Sequence, residues 1–363
     1  MAMGSIDDQL SSLSSKQNKV TWRSPSNIAI VKYWGKHGIQ LPRNPSVSFT
    51  LDAAHTDTSV EFVEKATKDN EISIDFYFEG EPNEAFASKI TKFIEGLDEE
   101  FGFLRDYKFR IESSNSFPHS SGIASSASAM SALALCLCSI EKILTGWPSD
   151  STDFLNKASH IARLGSGSAA RSVYPEVAIW GEHHDIEGST DLQAIPFDTE
   201  LHSSFRDFHD DILIVSAEEK SVSSRAGHAL MEDNPYAPVR YEQANRNMIA
   251  TLEALRTGDI LKFGKILEEE AMTLHALMMC SDPSYILMKA GTLAVIDKVR
   301  AFRKETYLPL YFTLDAGPNV HLLYPDEVAD QIWPFIEKEL VPHCVEGKVI
   351  RDRVGLGPRL INQ

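Results

Sequence analysis

From Val20 onward several segments have hydrophobic positions at every second residue, which is the period of β-strands. This pattern predicts strands in WRSPSNIAIVKYW, SVSFTLD, TSVEFVEK and ISIDFYFEG, which we expect to pair antiparallel, and a further strand in KFRIESSNSF. The segment RSVYPEVAIWGE is typical of a strand pair that returns to the same sheet. Helical spacing interrupts the strands in EAFASKITKFIEGL, in STDFLNKASHIARL and in the Ala- and Leu-rich segment after SGIASSAS.

The pattern restarts near Asp207–Asp211 with the short apolar strand DILIVSA. Two long helices that separate near Gly258 follow, and then come a third helix in AGTLAVIDKVRAF, a hairpin-like pair in PLYFTLDAG and NVHLLY, and a last helix in DEVADQIWPFIEKEL. Strands and helices mix without strict βαβ alternation, so the prediction is an α+β protein of two domains. We predict a disordered leader at 1–18, an N-terminal domain at 19–206 and a C-terminal domain at 207–363.

The chain of 363 residues carries a formal charge of −17, which repels nucleic acid and anionic membrane surfaces. No apolar run approaches the roughly 20 residues that a membrane-spanning helix needs, and the N-terminus has no apolar signal core. The four cysteines form no CxxC pair, which favours buried thiols in a reducing compartment. These features predict a cytoplasmic protein, and an anionic small-molecule substrate would require a locally basic site.

The first candidate site is the segment PHSSGIASSAS, in which a strand leads through a Ser/Gly-rich loop into a helix. Such a junction offers unpaired backbone N–H groups and the positive end of a helix dipole to a phosphate. It is not a Walker loop, because GxxxxGKS/T is absent. Small residues are equally typical of a helix packed closely against a sheet, so both interpretations stay open.

A local excess of positive charge marks the segment from Lys19 to Asp52, which contains five basic residues and one acid. Within it, Lys32 directly follows the apolar run IAIV, and buried strands normally exclude lysine. Lys32 therefore either lies at a solvated strand end or pairs with an anion.

Two arginines flank the sequence GSGS in the segment IARLGSGSAARSVY. Arg163 and Arg171 have no acid near them in the sequence, and a guanidinium offers a fork of donors that matches a carboxylate or a phosphate. A serine-hydrolase elbow would need GxSxG after a strand, whereas GSGS follows a predicted helix. The segment is therefore a candidate for anion binding rather than for a nucleophilic serine.

Asp315 is the single acid in the segment TLDAGPNVHLLY, where it ends an apolar strand and precedes the turn residues GPN. An aspartate there either caps the turn or belongs to a site. The cluster His183-His184-Asp185 has no second ligand pair at metal-binding spacing, so we predict a surface loop rather than a metal cage.

These four motifs, in their order along the chain, resemble the mevalonate diphosphate decarboxylase family of the GHMP kinase superfamily. SPSNIAIVKYWGK is similar to its first signature, NSFPHSSGIASSASA to its phosphate loop, ARLGSGSAARS to its Arg-Leu-Gly-Ser-Gly-Ser segment and LDAGPN to its Asp-Ala-Gly-Pro-Asn signature. KSVSSRAGH and LHALMM resemble two weaker segments of the family. The resemblance implies a ribosomal S5 domain 2-like N-terminal domain, a ferredoxin-like C-terminal domain and a homodimer.

The same resemblance implies ATP-dependent conversion of mevalonate 5-diphosphate to isopentenyl diphosphate, ADP, phosphate and CO₂, with Mg²⁺ as cofactor. It implies that Asp315 lies beside the C3 hydroxyl as base or orienting carboxylate, that Lys32 lowers the pKa of Asp315 by charge pairing, and that Arg171 holds the substrate carboxylate. The other implied substrate ligands are Asn27, Tyr33, Lys36, Ser166 and Ser168. The implied ATP ligands are Ser120, Ser121, Gly122, Ser125 and Ser126, and Mg²⁺ would be held mainly by the ATP phosphates, with Ser125 or Ser126 as a further ligand.

Two other functions are compatible with the motifs. A relative in the same class would act on mevalonate 5-phosphate or mevalonate, as a decarboxylase or as a 3-kinase that stops before CO₂ is lost. A protein of a different class would bind ATP or substrate as a regulator without catalysis. The chain departs from the family pattern at His119-Ser120-Ser121 and at Arg43 and Pro45, in segments that the resemblance puts near ATP or substrate.

Overall fold

Strands of very unequal length build the sheets of this protein. The computed structural model describes residues 5–67, 69–117, 123–147, 150–197, 201–218 and 222–361. Within these residues the strands are, in chain order, β1 (Lys19–Val31), β2 (Lys36–His37), β3 (Leu41–Pro42), β4 (Ser46–Glu64), β5 (Ser73–Phe78), β6 (Glu81–Pro82), β7 (Tyr107–Asn115), β8 (Val177–Trp180), β9 (Ala194–Pro196), β10 (His209–Leu213), β11 (Tyr311–Thr313), β12 (Val320–Tyr324), β13 (Val349–Ile350) and β14 (Arg359–Leu360).

Helices cover both sheets. In the described part of the chain the α-helices are α1 (Ile6–Ser11), α2 (Glu84–Glu95), α3 (Ser125–Thr145), α4 (Ser151–Gly165), α5 (Ser224–Ala229), α6 (Ala237–Thr257), α7 (Ile260–Met279), α8 (Ala290–Thr306) and α9 (Ala329–Phe335). Among the shorter helical segments, a 3₁₀ helix at Gly167–Val173 lies closest to α4 in the chain. The predicted break between the two long helices is confirmed, because Gly258 ends α6 in the left-handed conformation that glycine adopts at little cost.

The first sheet is centred on the antiparallel pair β1 and β4. β7 continues the sheet beyond β4, and β5 lies parallel to β7 and carries β6 at the edge. β8 pairs with the start of β4 and with β9, while β14 returns from the chain's end to pair with β1. A second, four-stranded sheet has the order β11-β12-β10-β13, so the predicted hairpin-like pair of β11 and β12 is confirmed.

Four features of the predicted elements are wrong. SVSFTLD and TSVEFVEK form one continuous strand, β4, rather than two. ISIDFYFEG pairs parallel with β7, because the helix α2 carries the chain back across the sheet between them. RSVYPEVAIWGE contains one strand only, since the residues up to Val173 form the 3₁₀ helix. The described part of the predicted leader contains α1, whose residue Leu10 is buried and whose residue Gln9 accepts a hydrogen bond from the Leu360 amide.

The helix α3 fills the space beneath the first sheet. By length and composition it could cross a membrane, but 67% of its apolar window is buried inside the protein, as in the core helix of a globular domain. Its buried face joins α4 and the outer half of β1 in one hydrophobic core.

A second hydrophobic core, which we call the shared core, contains residues of both halves of the chain. Its members include Ile28 and Ile30 of β1, Val47 and Phe49 of β4, Ile212 of β10, Met248 of α6, and Phe263 and Leu267 of α7. The inner end of β1 is therefore packed directly against the helices of the second half.

The C-terminal residues fasten the two halves at another point. The Asp352 carboxylate accepts hydrogen bonds from the backbone N–H groups of Asp52, Ala53 and Ala54, at 2.7–2.8 Å. These three donors lie in β4, so the chain's end binds the first sheet before β14 joins it.

Candidate active site

An ion pair at the junction of the two halves forms the centre of the site. Lys32 directly follows β1, Asp315 lies between β11 and β12, and the Lys32 Nζ donates to Asp315 Oδ1 at 3.1 Å. The lysine side chain is 2% exposed and the aspartate 26% exposed. Burial lowers the pKa of Lys32, and the Asp315 carboxylate opposes that shift. Of the two interpretations of Lys32, pairing with an anion is therefore the observed one.

The backbone of Asp315 is held as firmly as its side chain. The Nε2 of His275, on α7, donates to the Asp315 carbonyl at 3.1 Å, and the Gly317 amide donates to the same oxygen at 2.7 Å. These two hydrogen bonds fix the backbone position of Asp315 in the turn before β12. The Asp315 carboxylate faces the cavity beside Lys32.

Arg171 is buried behind this pair in the 3₁₀ helix. Its Nε and its two terminal nitrogens donate to Ser48, Ser46 and the Asn27 side-chain oxygen, at 2.5–3.2 Å. All three acceptors are neutral, and three of the five guanidinium N–H donors are used. Burial lowers the pKa of Arg171 to about 10, so the side chain stays cationic at neutral pH. Asn27 in turn donates to Ser172 and to the Ser168 carbonyl.

Aromatic rings form one wall of the site. The rings of Tyr33 and His228 lie 4.3 Å apart, and Trp180 packs at 4.7 Å on Tyr33. The Tyr33 hydroxyl is buried and has no hydrogen-bond partner among the described residues, so it is available to a ligand. The His228 Nδ1 accepts from the Gly35 amide at 3.0 Å, and burial lowers the pKa of His228 to about 3, so the ring is neutral.

Lys36 is another basic group that lines the cavity. Lys36 donates to Gln40 at 3.0 Å, and burial and then the nearby Arg225 lower the pKa of Lys36. Sequence reasoning identified Lys36 but missed Arg225, Ser224 and His228, which also line the cavity. The signal was present, because all three belong to the segment KSVSSRAGH and lie in α5.

The GSGS segment forms the floor between these groups. A Cβ atom on Gly167 would lie 2.7 Å from Trp180 and 3.0 Å from the Tyr33 hydroxyl, so only glycine fits there. The neighbouring Ser166 and Ser168 line the cavity. Arg163, the other arginine of the motif, is buried and donates to the backbone carbonyls of Ile39 and Leu192, which makes it a structural residue.

The start of α3 forms the remaining wall. Ser125 is its first residue, Ala124 before it is left-handed, and its first turn contains no acid and no side-chain cap. The orphan N–H groups and positive dipole end of a helix favour an anion at such a position. The predicted ligands Ser120, Ser121 and Gly122 lie outside the described residues.

One cavity of about 300 Å³ brings these walls together. All predicted site residues within the described part of the chain line it, namely Asn27, Lys32, Tyr33, Lys36, Ser125, Ser126, Ser166, Ser168, Arg171 and Asp315. The cluster His183-His184-Asp185 is not among the lining residues and lies in the turns between β8 and β9. There the His183 Nδ1 is occupied by the Asp185 amide at 3.1 Å.

Two family models match this chain. The Diphosphomevalonate decarboxylase-like N-terminal domain matches residues 24–194, and the Mevalonate 5-diphosphate decarboxylase C-terminal domain matches residues 211–356. A diphosphomevalonate decarboxylase from Ganoderma lucidum is 31% identical over 343 residues, which cover 88% of this chain and 82% of that protein. A phosphomevalonate decarboxylase from Haloferax volcanii is 28% identical over 329 residues, covering 90% and 93% of the two chains.

Solved structures share the fold. Mevalonate diphosphate decarboxylase from Staphylococcus aureus has a TM-score of 0.80 and 28% identity, and the match covers 95% of this chain and 98% of that chain. MDDEF in complex with MVAPP, AMPPCP and magnesium has a TM-score of 0.80 and 27% identity, with coverage of 95% and 99%. Fold and cavity thus define a two-domain α+β enzyme of the GHMP-kinase-like class, as predicted. Within that class, the chain belongs to the diphosphomevalonate decarboxylase family.

Proposed function

We propose that this chain catalyses the ATP-dependent decarboxylation of mevalonate 5-diphosphate to isopentenyl diphosphate, ADP, phosphate and CO₂. The observation that carries the proposal is the Lys32–Asp315 pair in an otherwise basic cavity. Among the described lining residues Asp315 is the single acid, while Lys32, Lys36, Arg171 and Arg225 are cations. The positive charge of this cavity would attract an anionic substrate that the rest of the protein, with its net charge of −17, repels.

Asp315 is proposed as the base or orienting carboxylate for the C3 hydroxyl. As the hydroxyl oxygen bonds to the γ-phosphorus and ADP leaves, Asp315 takes the hydroxyl proton, and Lys32 offsets negative charge that develops nearby. The C3 phosphate and C1 then depart as phosphate and CO₂, and the electrons of the C1–C2 bond form the new double bond. The near-complete burial of Lys32 supports a site poor in water, which favours loss of the carboxylate.

Arg171 is proposed to hold the substrate carboxylate. Three of its donors are engaged with Ser46, Ser48 and Asn27, which leaves two N–H groups on its terminal nitrogens for a ligand. Asn27 is proposed to act mainly by fixing the direction of this guanidinium. The buried guanidinium would hold the substrate carboxylate in one orientation. That orientation would place C1 for its loss as CO₂.

The diphosphate is proposed to lie near Lys36, Arg225 and the Tyr33 hydroxyl, with Ser166 and Ser168 as further ligands. Two cations at this end of the cavity match a diphosphate, which carries more charge than a monophosphate. MVAPP is bound in the structure of MDDEF, which supports this choice.

ATP is proposed to bind at the start of α3, with Ser120, Ser121, Gly122, Ser125 and Ser126 around its phosphates. The uncapped first turn without acids fits an anionic ligand, and AMPPCP, an ATP analogue, is bound in MDDEF. Mg²⁺, held by the phosphates and by Ser125 or Ser126, would neutralise charge on the phosphate oxygens.

One assay tests the reaction and its substrate. The protein is given ATP and Mg²⁺ with mevalonate 5-diphosphate, mevalonate 5-phosphate or mevalonate, and ADP and CO₂ are followed separately. We expect both products in equal amounts with the diphosphate. ADP without CO₂ would show a 3-kinase, and no product with any of the three would favour a regulator.

The alternative within the class is a phosphomevalonate decarboxylase. The Haloferax volcanii relative is named for that activity, and its match covers 93% of its length. Faster CO₂ release from the monophosphate than from the diphosphate in the same assay would favour this alternative.

We also propose that the protein is cytoplasmic and forms a homodimer. Each chain is proposed to consist of two domains that meet near residue 206. The predicted burial of the thiols is correct for Cys136 and Cys138 but wrong for Cys280, which is exposed; all four cysteines are free, which supports a reducing compartment. Analytical ultracentrifugation of the full chain tests the dimer, and a single species at the mass of one chain would contradict it. Limited proteolysis with fragment mapping tests the division, and a first cut well inside either proposed domain would contradict it.

A further inference from the structure

We infer that the buried ion pair of Arg240 and Glu270 is the positioning device that holds Lys32 opposite Asp315. Neither residue lines the cavity, and neither is part of the proposed chemistry. The inference rests on the proposed function, because it concerns how the proposed catalytic lysine is placed. It assigns Arg240 and Glu270 as positioning residues that act through Lys32.

The backbone of Lys32 lies just beyond the end of β1, so its hydrogen bonds must be made outside the sheet. β1 ends at Val31, so the Lys32 peptide groups have no neighbour in the sheet. The Lys32 amide donates instead to Glu270 Oε2 at 2.8 Å, and the Lys32 carbonyl accepts from Arg240 and from Asn44, both at 3.0 Å. Both ends of this residue's backbone are thus held by side chains.

Arg240 and Glu270 also form hydrogen bonds with each other. Both guanidinium terminal nitrogens donate to the Glu270 carboxylate, and Asn247 donates to the same carboxylate at 2.8 Å. Their side chains are 1% and 0% exposed. A buried ion pair is weak as a source of stability, since desolvation offsets much of the attraction. We therefore assign to this ion pair a role in fixing the position and direction of Lys32 rather than a role in stability.

The helix α7 connects this device to the other member of the catalytic pair. Glu270 and His275 both stand on α7, and His275 donates to the Asp315 carbonyl. Five residues of helix correspond to about 7.5 Å of rise. One rigid helix therefore sets the position of Lys32 at one point and of Asp315 at another, although the two residues are 283 positions apart.

The test removes the Arg240–Glu270 ion pair without leaving an unpaired buried charge at either position. The double variant Arg240→Met with Glu270→Leu replaces the pair by apolar side chains, which buried ion pairs often tolerate without loss of stability. Glu270→Gln serves as the conservative variant, because an amide oxygen still accepts from the Lys32 N–H. Glu268→Gln is the matched control, since Glu268 lies on the same helix in a partly buried pair with Arg303 and does not line the cavity.

In the CO₂ and ADP assay we expect the double variant to lose about 10²-fold in kcat, as for a misplaced catalytic group, with KM for both substrates within about threefold. Glu270→Gln should lose less, and Glu268→Gln should stay within about twofold. A double variant that folds, by its circular dichroism and urea midpoint, and keeps wild-type kcat overturns the inference. Equal losses in the double variant and in Glu268→Gln also overturn it, because they indicate a general effect on the helix.

A crystal structure of the double variant gives a readout that does not depend on the reaction. We expect the Lys32 Nζ and Asp315 Oδ1 atoms to move apart from 3.1 Å to beyond hydrogen-bond distance. An unchanged separation overturns the inference. If the wild-type protein releases neither product, the proposed function fails, and this distance still decides whether the pair positions Lys32. If the double variant does not fold, the kcat of Glu270→Gln is compared with that of Glu268→Gln: a loss confined to Glu270→Gln supports the inference, and equal kcat in the two variants overturns it.

Discussion

The charged side chains of Lys32, Asp315 and Arg171 in the cavity have few substitutes, because each of them has specific hydrogen-bond partners. Lys32 and Asp315 pair at 3.1 Å, and Arg171 has only neutral oxygens as its hydrogen-bond acceptors. Changes at these positions should therefore alter chemistry more than shape.

Asp315→Asn is expected to lower kcat by about 10²–10⁴-fold, with KM nearly unchanged, because the amide keeps the shape of the carboxylate but takes no proton. Initial rates of ADP and CO₂ release measure this. Asp326→Asn is the control, since Asp326 pairs with His209 outside the cavity. Wild-type activity in Asp315→Asn would show that another group is the base.

His228 is expected to make the protein less stable as the pH falls below about 6.5. Its pKa is lowered to about 3 in the folded protein, mainly by burial, so between these values the unfolded chain binds the proton more readily. The free energy of unfolding should lose up to about 2 kcal/mol from this group between pH 6.5 and pH 5. Urea unfolding of wild type and His228→Asn at both pH values measures the difference, and equal losses in the two proteins would contradict the assignment.

The sequence was informative at this scale where a charge stood in an apolar setting. Lys32 after IAIV, Arg171 after GSGS and Asp315 in an apolar strand end were all identified, and all three line the cavity. Arg240 and Glu270 could not be found in this way. They stand in helices rich in charged residues, where a buried charge and a solvated one look alike until the packing partner is known.

Short connecting elements, rather than the long helices and strands, shape the cavity. The 3₁₀ helix with its preceding GSGS segment and the left-handed entry to α3 form the floor and one wall. At such places one added methyl group meets neighbours on several sides, and close-packed interiors do not absorb it.

Gly167→Ala is expected to raise KM for the substrate and to cost about 1–3 kcal/mol in stability, because its Cβ would displace Tyr33 or Trp180. Urea unfolding and steady-state kinetics measure the two effects. Gly102→Ala is the matched control, since nothing lies within 4 Å of its added Cβ. If both variants behave alike, the close packing around Gly167 is not what shapes the site.

The long helices and the main strands were predicted from periodicity, but α1, α5, and the continuity and direction of the strands were not. β4 reads as two segments because residues 52 and 53 are exposed in its middle, although the backbone continues without a turn. The parallel pairing of β5 with β7 depends on where α2 packs, and a period of two residues contains no information about that.

Contacts between residues far apart in sequence join the two halves of the molecule, among them the Lys32–Asp315 pair, the shared core and the Asp352 contacts. The fold class followed from the mixture of elements, whereas these contacts between distant residues could not be read from local patterns.

Asp352→Ala is expected to destabilise the protein by about 3 kcal/mol, because three backbone N–H groups of β4 would lose a charged acceptor. Urea unfolding at neutral pH measures this. Asp57→Ala is the control, since it breaks a partly exposed pair with Arg23 and should cost under about 1 kcal/mol. A similar small cost in both variants would contradict the role of Asp352.

The shared core has a consequence for how the molecule melts. Apolar side chains of β1 and β4 are buried by helices from the other half of the chain, so neither half can lose its structure without exposing the other's interior. We therefore expect one cooperative transition, with the calorimetric enthalpy equal to the van't Hoff enthalpy, instead of the two steps usual for proteins with separate domains. Scanning calorimetry measures both enthalpies, and a van't Hoff value near half the calorimetric one would show that the halves melt independently.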